Sequence, residues 1–397
     1  MGFPVAPTHR SAGPLSLGML AGEASGDLLG AGLLGALAAQ GHAPRAVGVG
    51  GPAMRQAGLE SLVPMDRFAI NGFVEPVRRL PELWRLLGAL ERDVLSQRLD
   101  AFVGIDFNVF NLLLERRLKR AGMPTAHYVS PSVYAWRRGR IERLAQSADL
   151  LLCLYPFEPP LYSGSPVRAV YVGHPLADEI APVRDRQPAA REARAALGVP
   201  PGHECIAILP GSRSSEISAM LPLFLEAARR LQVAVKPVTF VLPCPRPALL
   251  APVRQALAAY ADLHCIVDEA PARQALTAAS AAFVKSGTST LEAMLLRCPM
   301  VVSYRLGALS YQVVKRLLRT EFIALPNILA GRALVPELLQ DDATPARLAS
   351  ALLVELDRSA RDSEYQQACA RLHDELRCDA NSRAAQAIAE LVEHRAP

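Results

Sequence analysis

Along this chain, apolar runs of four to seven residues alternate with longer stretches whose apolar residues recur at helical spacing. Runs beginning near Leu15, Ala46, Ala101, Thr125, Leu150 and Ala169 predict one series of strands. A second series begins near Cys205, Thr239, His264, Ala281 and Met300. The runs are apolar throughout, as in parallel strands covered on both faces, and the helical stretches between them supply the crossovers. An α/β fold with two doubly wound, Rossmann-like sheets follows. Residues 181–204, rich in proline and charge, read as a linker with one short helix. The expected organisation is a flexible tail over 1–14, one domain over 15–184 and a second over 185–397. From Arg332 onward the pattern is helical, interrupted around Thr344-Pro345 and Cys378-Asp379. Open sheets of this kind bind ligands beyond the carboxyl ends of their strands, so a ligand between two facing domains is expected.

Length and composition support this division. A chain of 397 residues that is 51% hydrophobic exceeds one ordinary core. No run of 18 or more apolar residues lacks charge, so no membrane-spanning helix is expected. Leu15 to Ala21 is short and is followed by Glu23 and Asp27, which fits a buried first strand rather than a signal peptide. The net charge of +5 comes mainly from arginine, with lysine only at Lys119, Lys236, Lys285 and Lys315. Such a mild positive balance suits phosphorylated ligands or an anionic membrane surface and does not call for nucleic acid. Seven scattered cysteines without a C-x-x-C pair point to reduced thiols in the cytosol, with no metal-site spacing.

Candidate chemistry lies where strands end in small residues. In VKSGTSTLEAM a strand stops at Ser286-Gly287-Thr288 and a helix follows, with Glu292 one turn inside it. Amides at a helix N-terminus, with hydroxyls beside them, suit a phosphate, and Glu292 suits ribose hydroxyls. Ser289 and Glu292 also fit a plain capping box. The stretch IAILPGSRSSEIS repeats the design, with Arg213 placed to pair with a diphosphate or to remain solvated. There is no Walker A sequence, and GVGGPAM is a poor dinucleotide fingerprint.

In MLAGEASGDLLG, Ser25 reads as an N-cap and Asp27 as a first-turn carboxylate, while Glu23 at the loop tip is a candidate ligand contact. Asp106 directly follows a strand and reads as a general base or as a helix cap. HYVSPSVYAWRRGR combines His127, Tyr134, Trp136, Arg137, Arg138 and Arg140, readable as a sugar-phosphate loop or as a core histidine with a solvated helix start. His174-Pro175 are placed to mark a hinge, and Asn327 sits in a Pro-Asn loop. Between Phe73 and Leu95, Leu80, Leu83, Trp84, Leu87 and Leu90 form an apolar stripe beside Arg78, Arg79 and Arg85. Such a helix lies on a membrane or covers a core.

In this order, AGEASGDLLGAGL, GVGGPAMRQAG, FVGID, HYVSPSVYAWR, PFE, LPGSRSSEI, SGTSTLE, CPMVVSYR, LPNILAGR and LRCDANSRAAQAI resemble the lipid-A-disaccharide synthase family over nearly the whole chain. The resemblance implies a GT-B glycosyltransferase that inverts the anomeric carbon and needs no metal or cofactor. It implies a UDP-2,3-diacylglucosamine donor and a 2,3-diacylglucosamine 1-phosphate acceptor, giving a β(1→6) disaccharide 1-phosphate and UDP. It further implies work at the inner face of the cytoplasmic membrane of a Gram-negative-type cell, and a possible homodimer through the C-terminal region. The first domain would bind acceptor and the second the UDP-sugar. Asp106 takes the position of the base, Glu23, Ser25 and Asp27 that of the acceptor loop, and Arg213, Ser286, Gly287, Thr288, Glu292 and Asn327 that of the donor side. Val109 stands where the family commonly carries a second aspartate, which leaves Asp106 the sole candidate base in that loop. Two competing readings are a UDP-N-acetylglucosamine 2-epimerase, or other GT-B transferase acting on soluble substrates, and a degenerate UDP-sugar-binding protein.

Overall fold

The computed structural model describes residues 14–68, 75–131, 139–183, 185–244, 246–305, 320–361 and 363–393. The chain forms two compact units, one running through Asp178 and resuming at Leu376, the other from Glu179 to Glu375. The division thus falls a few residues before the expected 184, and the last helix belongs to the first unit rather than the second.

In the first unit, seven parallel strands are ordered β3-β2-β1-β4-β5-β6-β7. They are β1 (Ser16–Ala21), β2 (Arg45–Val49), β3 (Leu59–Ser61), β4 (Ala101–Ile105), β5 (Thr125–Tyr128), β6 (Leu150–Cys153) and β7 (Arg168–Tyr171). Helices α1 (Ala24–Ala39), α2 (Pro52–Gln56), α3 (Glu75–Ser96), α4 (Asn108–Arg120), α5 (Gly139–Ser147) and α6 (Pro175–Glu179) accompany them. Period-two alternation sorts the strand residues between two cores. Leu17, Met19 and Val103 pack with Leu33 and Leu37 of α1 and with Ile388 of the final helix, Ala380–Glu393. Leu20, Val47 and Phe102 pack with Leu87 and Leu90 of α3 and Leu114 of α4. Both faces are covered, which is why these strands read as unbroken apolar runs.

The chain leaves and re-enters the first unit through one tied corner. The His174 N–H donates to Leu376 O at 2.9 Å, and the Asp178 carboxylate accepts the N–H groups of Asp379 and Ala380, capping the last helix. His174 therefore sits beside the unit boundary, buried and held to the returning C-terminal segment.

The second unit contains six parallel strands in the order β10-β9-β8-β11-β12-β13. They are β8 (Glu204–Leu209), β9 (Val238–Pro243), β10 (Cys265–Asp268), β11 (Ala281–Lys285), β12 (Met300–Tyr304) and β13 (Glu337–Leu339). Its helices include α7 (Gln187–Ala196), α8 (Ser214–Ala234), α9 (Pro247–Leu257), α10 (Ala272–Ala278) and α11 (Thr288–Leu295). Phe240, Phe283 and Val301 pack against Phe224 of α8 and Leu352 of the helix Pro345–Arg361. The stretch expected to be a linker is docked here. Arg186 donates to the carbonyls of Leu276 and Ala279, and Arg194 to Ala278 O and the Ser280 hydroxyl. Strand β13 also lies between Arg332 and the first expected interruption at Thr344-Pro345, where a helical pattern was expected.

The Phe73–Leu95 stripe divides. Leu87, 2% exposed, and Leu90 belong to the core, whereas Trp84 is 53% exposed and lies under the Arg117 guanidinium at 5.4 Å. The stretch 73–80 lies outside the residues whose side chains are described. Among the described residues, no helix is long and apolar enough to cross a membrane.

Candidate active site

Each sheet reverses its strand order once, between β1 and β4 in the first unit and between β8 and β11 in the second. At such a switch point the two following loops diverge to opposite faces and leave a crevice at the carboxyl edge. All four loops singled out in the sequence leave these strands. Glu23 and Ser25 follow β1, Asp106 follows β4, Arg213 follows β8, and Ser286-Gly287-Thr288 run from the end of β11 into the start of α11.

At the first switch point, Glu23 takes the N-cap position with extended backbone, and Ser25, expected there, lies inside α1; both are exposed. Asp27 is engaged within its own unit. Its buried carboxylate accepts three N–H groups, from Gly51 and Met54 through Oδ1 and from Ala53 through Oδ2, at 2.8–2.9 Å. It caps α2 from 24 or more residues away and has its acceptor capacity spent inside the unit.

Asp106 and Phe107 both adopt left-handed backbone, with φ of 49° and 47°. Each such non-glycine residue costs about 1–3 kcal/mol and persists only when its surroundings impose it. Three contacts impose it here. The Asp106 N–H donates to Tyr128 O at 2.8 Å. The Phe107 ring lies against Phe68 and Phe110 and so close to Gly22 that a Cβ there would stand 2.5 Å from it. Asn111, fully buried, reaches with Nδ2 to Asp106 O at 2.8 Å and to Leu20 O and Ile105 O at 3.2 Å, tying the ends of β1 and β4 together. Asp106 itself is half-buried. Val109, in the first turn of α4, is 82% exposed.

The next two strand ends carry buried titratable groups. His127 is a core residue whose Nδ1 lies 2.7 Å from the buried Glu115 carboxylate. Burial raises Glu115, with His127 opposing the shift. Gly104 is required beneath this pair, since a Cβ would fall 2.0 Å from Glu115 Oε1. After β6, burial pushes the Glu158 carboxyl up to about 8, against hydrogen bonds from the amides of Tyr155 and Leu154 and from the Ser130 hydroxyl. Ser130 Oγ also lies 2.7 Å from the Tyr162 hydroxyl. This set anchors the start of the Ser-Pro-Ser loop. Tyr134, Trp136, Arg137 and Arg138 lie outside the described residues, and Arg140 opens α5.

At the second switch point, Glu216 occupies the turn after β8. Its Oε2 accepts the N–H groups of Ser212 at 2.9 Å and Arg213 at 3.3 Å, and its Oε1 lies 3.0 Å from Lys285 Nζ. Burial would raise this carboxyl, but Lys285, the Ser212 amide and Arg213 together outweigh burial and hold it below the usual range. The amides expected to meet phosphate in this turn are thus engaged by Glu216, and Arg213 presents a largely exposed guanidinium. After β11, Gly287 and Thr288 are exposed and Ser286 is half-buried, its hydroxyl donating to Ile323 O at 3.2 Å.

Glu292 lies deeper, with Oε1 3.2 Å from Arg273 Nε, while Arg273 Nη2 also reaches Glu179 at 3.1 Å. Burial raises the Glu292 carboxyl despite Arg273. Asn327 is engaged within its own segment. It is 1% exposed, its Oδ1 accepts the N–H groups of Leu334 and Val335, and its Nδ2 donates to Val335 O and Glu337. Glu337 in turn accepts the amides of Ile323 and Ala324, so Asn327 shapes the segment on which the Ser286 hydroxyl rests.

Two participants escaped the sequence reading. Asn111 was visible as an amide in an otherwise apolar helical run, and Lys285 as a cation ending an apolar strand, but their partners are distant in the chain.

The family model for lipid-A-disaccharide synthetase matches residues 18–391. A lipid-A-disaccharide synthase from Azotobacter vinelandii is 47% identical over 384 residues, covering 96% of this chain and 99% of that protein. Among solved structures, the glycotransferase of kitacinnamycin is similar with a TM-score of 0.60 at 17% identity, over 96% of this chain and 99% of that one. A UDP-GlcNAc 2-epimerase from Neisseria meningitidis bound to UDP-GlcNAc gives 0.58 at 10%, over 96% and 100%. At such identities the two structures speak for the fold alone, which is the GT-B arrangement of two parallel α/β units. Family assignment rests on the sequence matches, and by them the chain belongs to the lipid-A-disaccharide synthase family.

Proposed function

We propose that this chain transfers the sugar of UDP-2,3-diacylglucosamine to the 6-hydroxyl of 2,3-diacylglucosamine 1-phosphate. The observation that carries the reading is a family match over nearly the whole chain. A UDP-sugar donor is consistent with the UDP-GlcNAc-bound fold neighbour. The epimerase reading loses weight, because its support is fold likeness at 10% identity. The degenerate-protein reading rested on Val109 alone.

In the proposed chemistry, Asp106 accepts the proton of the acceptor hydroxyl as its oxygen attacks the anomeric carbon. The bond to UDP breaks with inversion, and Arg213, the Ser286 hydroxyl and the amides of Gly287 and Thr288 stabilise the charge on the leaving diphosphate. Glu292 takes the ribose hydroxyls, and Glu23 and Ser25 lie on the acceptor side. The cost of holding Asp106 and Phe107 in left-handed backbone supports a preset base, since strain of this kind gathers at working sites. We further propose peripheral attachment to the cytoplasmic face of the membrane, with Trp84 as the exposed contact, and a homodimer, for which family likeness is the support.

Incubation with UDP-diacylglucosamine and acylated glucosamine 1-phosphate, followed by mass analysis, tests the reaction. An acylated disaccharide 1-phosphate is expected. Epimerised donor, or binding without product, would favour one of the two competing readings.

A further inference from the structure

The mechanism above leaves Lys285 unused, although it ends β11 directly before Ser286-Gly287-Thr288. Strand β11 pairs with β8 in the register Val284↔Leu209, so the segments leaving the two strands start side by side. The Lys285 side chain is 15% exposed, and its Nζ lies 3.0 Å from Glu216 Oε1 and 4.8 Å above the Tyr304 ring. The same Nζ stands 3.8 Å from where a Cβ on Gly287 would be. The ammonium therefore hangs over the bare backbone of the glycine that opens α11. Arg213 approaches the same Glu216 oxygen at 3.8 Å. Two cations and one carboxylate converge at the switch point, leaving an excess positive charge beside exposed amides.

A purely structural role would make Lys285 the counterion of Glu216. Desolvating an ammonium for one ion pair gains little stability, and this carboxylate already accepts two backbone N–H groups. We propose that Lys285 is a ligand of the donor's diphosphate, an inference that rests on the reading of Ser286–Thr288 as the donor site. On binding, Nζ turns from Glu216 Oε1 to a phosphoryl oxygen above Gly287, while Glu216 keeps the Ser212 and Arg213 amides and so holds the turn. Tyr304 supports the ammonium from below through its ring face. As UDP departs, Lys285 and Arg213 share the charge that develops on its phosphates.

Affinities of UDP and of uridine, measured by calorimetry and by competition, test this in wild type, Lys285→Met, Lys285→Gln and Arg213→Ala. A lost charge-assisted contact predicts UDP binding weakened about ten- to a hundredfold in both Lys285 variants, with uridine binding within about twofold of wild type. Two variants guard against one that fails to fold, since Gln can still donate to Glu216. If Lys285 serves Glu216 alone, both variants lower the melting temperature and leave the ratio of UDP to uridine affinity unchanged, which overturns the proposal. Arg213→Ala separates the two levels of inference. Weakened UDP binding there with none in the Lys285 variants sinks only Lys285. Unchanged UDP binding in all three sinks the donor site itself.

Discussion

Replacing Asn111 by alanine should disable the site at modest cost to the fold. Nδ2 has two hydrogens and serves three carbonyls, Asp106 O, Leu20 O and Ile105 O, while Oδ1 accepts no protein hydrogen bond. The residue therefore matters as a donor. Each buried carbonyl left without a partner costs about 1–3 kcal/mol, giving roughly 2–6 kcal/mol for two lost hydrogen bonds. Strand carbonyls retain other acceptor contacts, which favours the lower end of that range. Against it stands relief of strain, because without the amide Asp106 and Phe107 leave φ near +50° and regain about 1–3 kcal/mol each. The two effects are of similar size, so the net expectation is an unfolding free energy within about 2 kcal/mol of wild type and a fall in kcat of at least about thirtyfold, with donor affinity unchanged. Urea denaturation, turnover and UDP titration on one preparation measure all three. Turnover within twofold of wild type in the folded variant would show that Asn111 does not hold Asp106 for catalysis.

The other predictions concern groups away from Asp106. Asp27→Ala should lower stability by about 2–4 kcal/mol through loss of three charge-assisted bonds, with acceptor KM unchanged in the folded fraction; a large KM effect with normal stability would return Asp27 to the acceptor site. Glu158, ordinarily near 4.5 and pushed up to about 8 by burial, binds a proton in the folded state that the unfolded chain has released across that interval. Its contribution is greatest below about pH 4.5 and is lost as pH rises through 8, at up to about 1.4 kcal/mol per unit, so the stability of wild type relative to Glu158→Gln should decline from pH 5 to 8.5. Parallel pH curves for the two proteins would refute this. Trp84→Glu should reduce binding to anionic vesicles without altering the melting temperature, whereas Leu87→Glu should unfold the first unit; unchanged vesicle binding by Trp84→Glu would remove that residue from the membrane contact.

Much of the fold was legible because strands buried on both faces announce themselves. Ala101–Ile105 and Leu150–Cys153 are fully buried, and both begin where their apolar runs begin. Leu59–Ser61 and Glu337–Leu339 escaped because three-residue edge strands carrying Glu60 or Glu337 hold too little pattern. Proline and charge over 181–204 read as a linker, since nothing local reveals that Arg186 and Arg194 find carbonyls more than 80 residues away. The same blindness governed the site. Small-residue loops mark the strand ends at the two switch points, but the hydrogen bonds of Asp27 and Asn327 could not be read, because the amides that they accept follow 24 or more and seven or more residues later. Position relative to a strand end is local information; how a side chain's hydrogen bonds are spent is not.

The central claim is that Asp106, at the end of β4, takes the proton from the acceptor hydroxyl. Replacing it by asparagine keeps its size and removes its basicity. Steady-state turnover of Asp106→Asn with acylated donor and acceptor, beside UDP affinity by calorimetry, tests the claim most directly. The prediction is turnover lower by at least about a hundredfold with UDP affinity unchanged. Turnover close to wild type would contradict it.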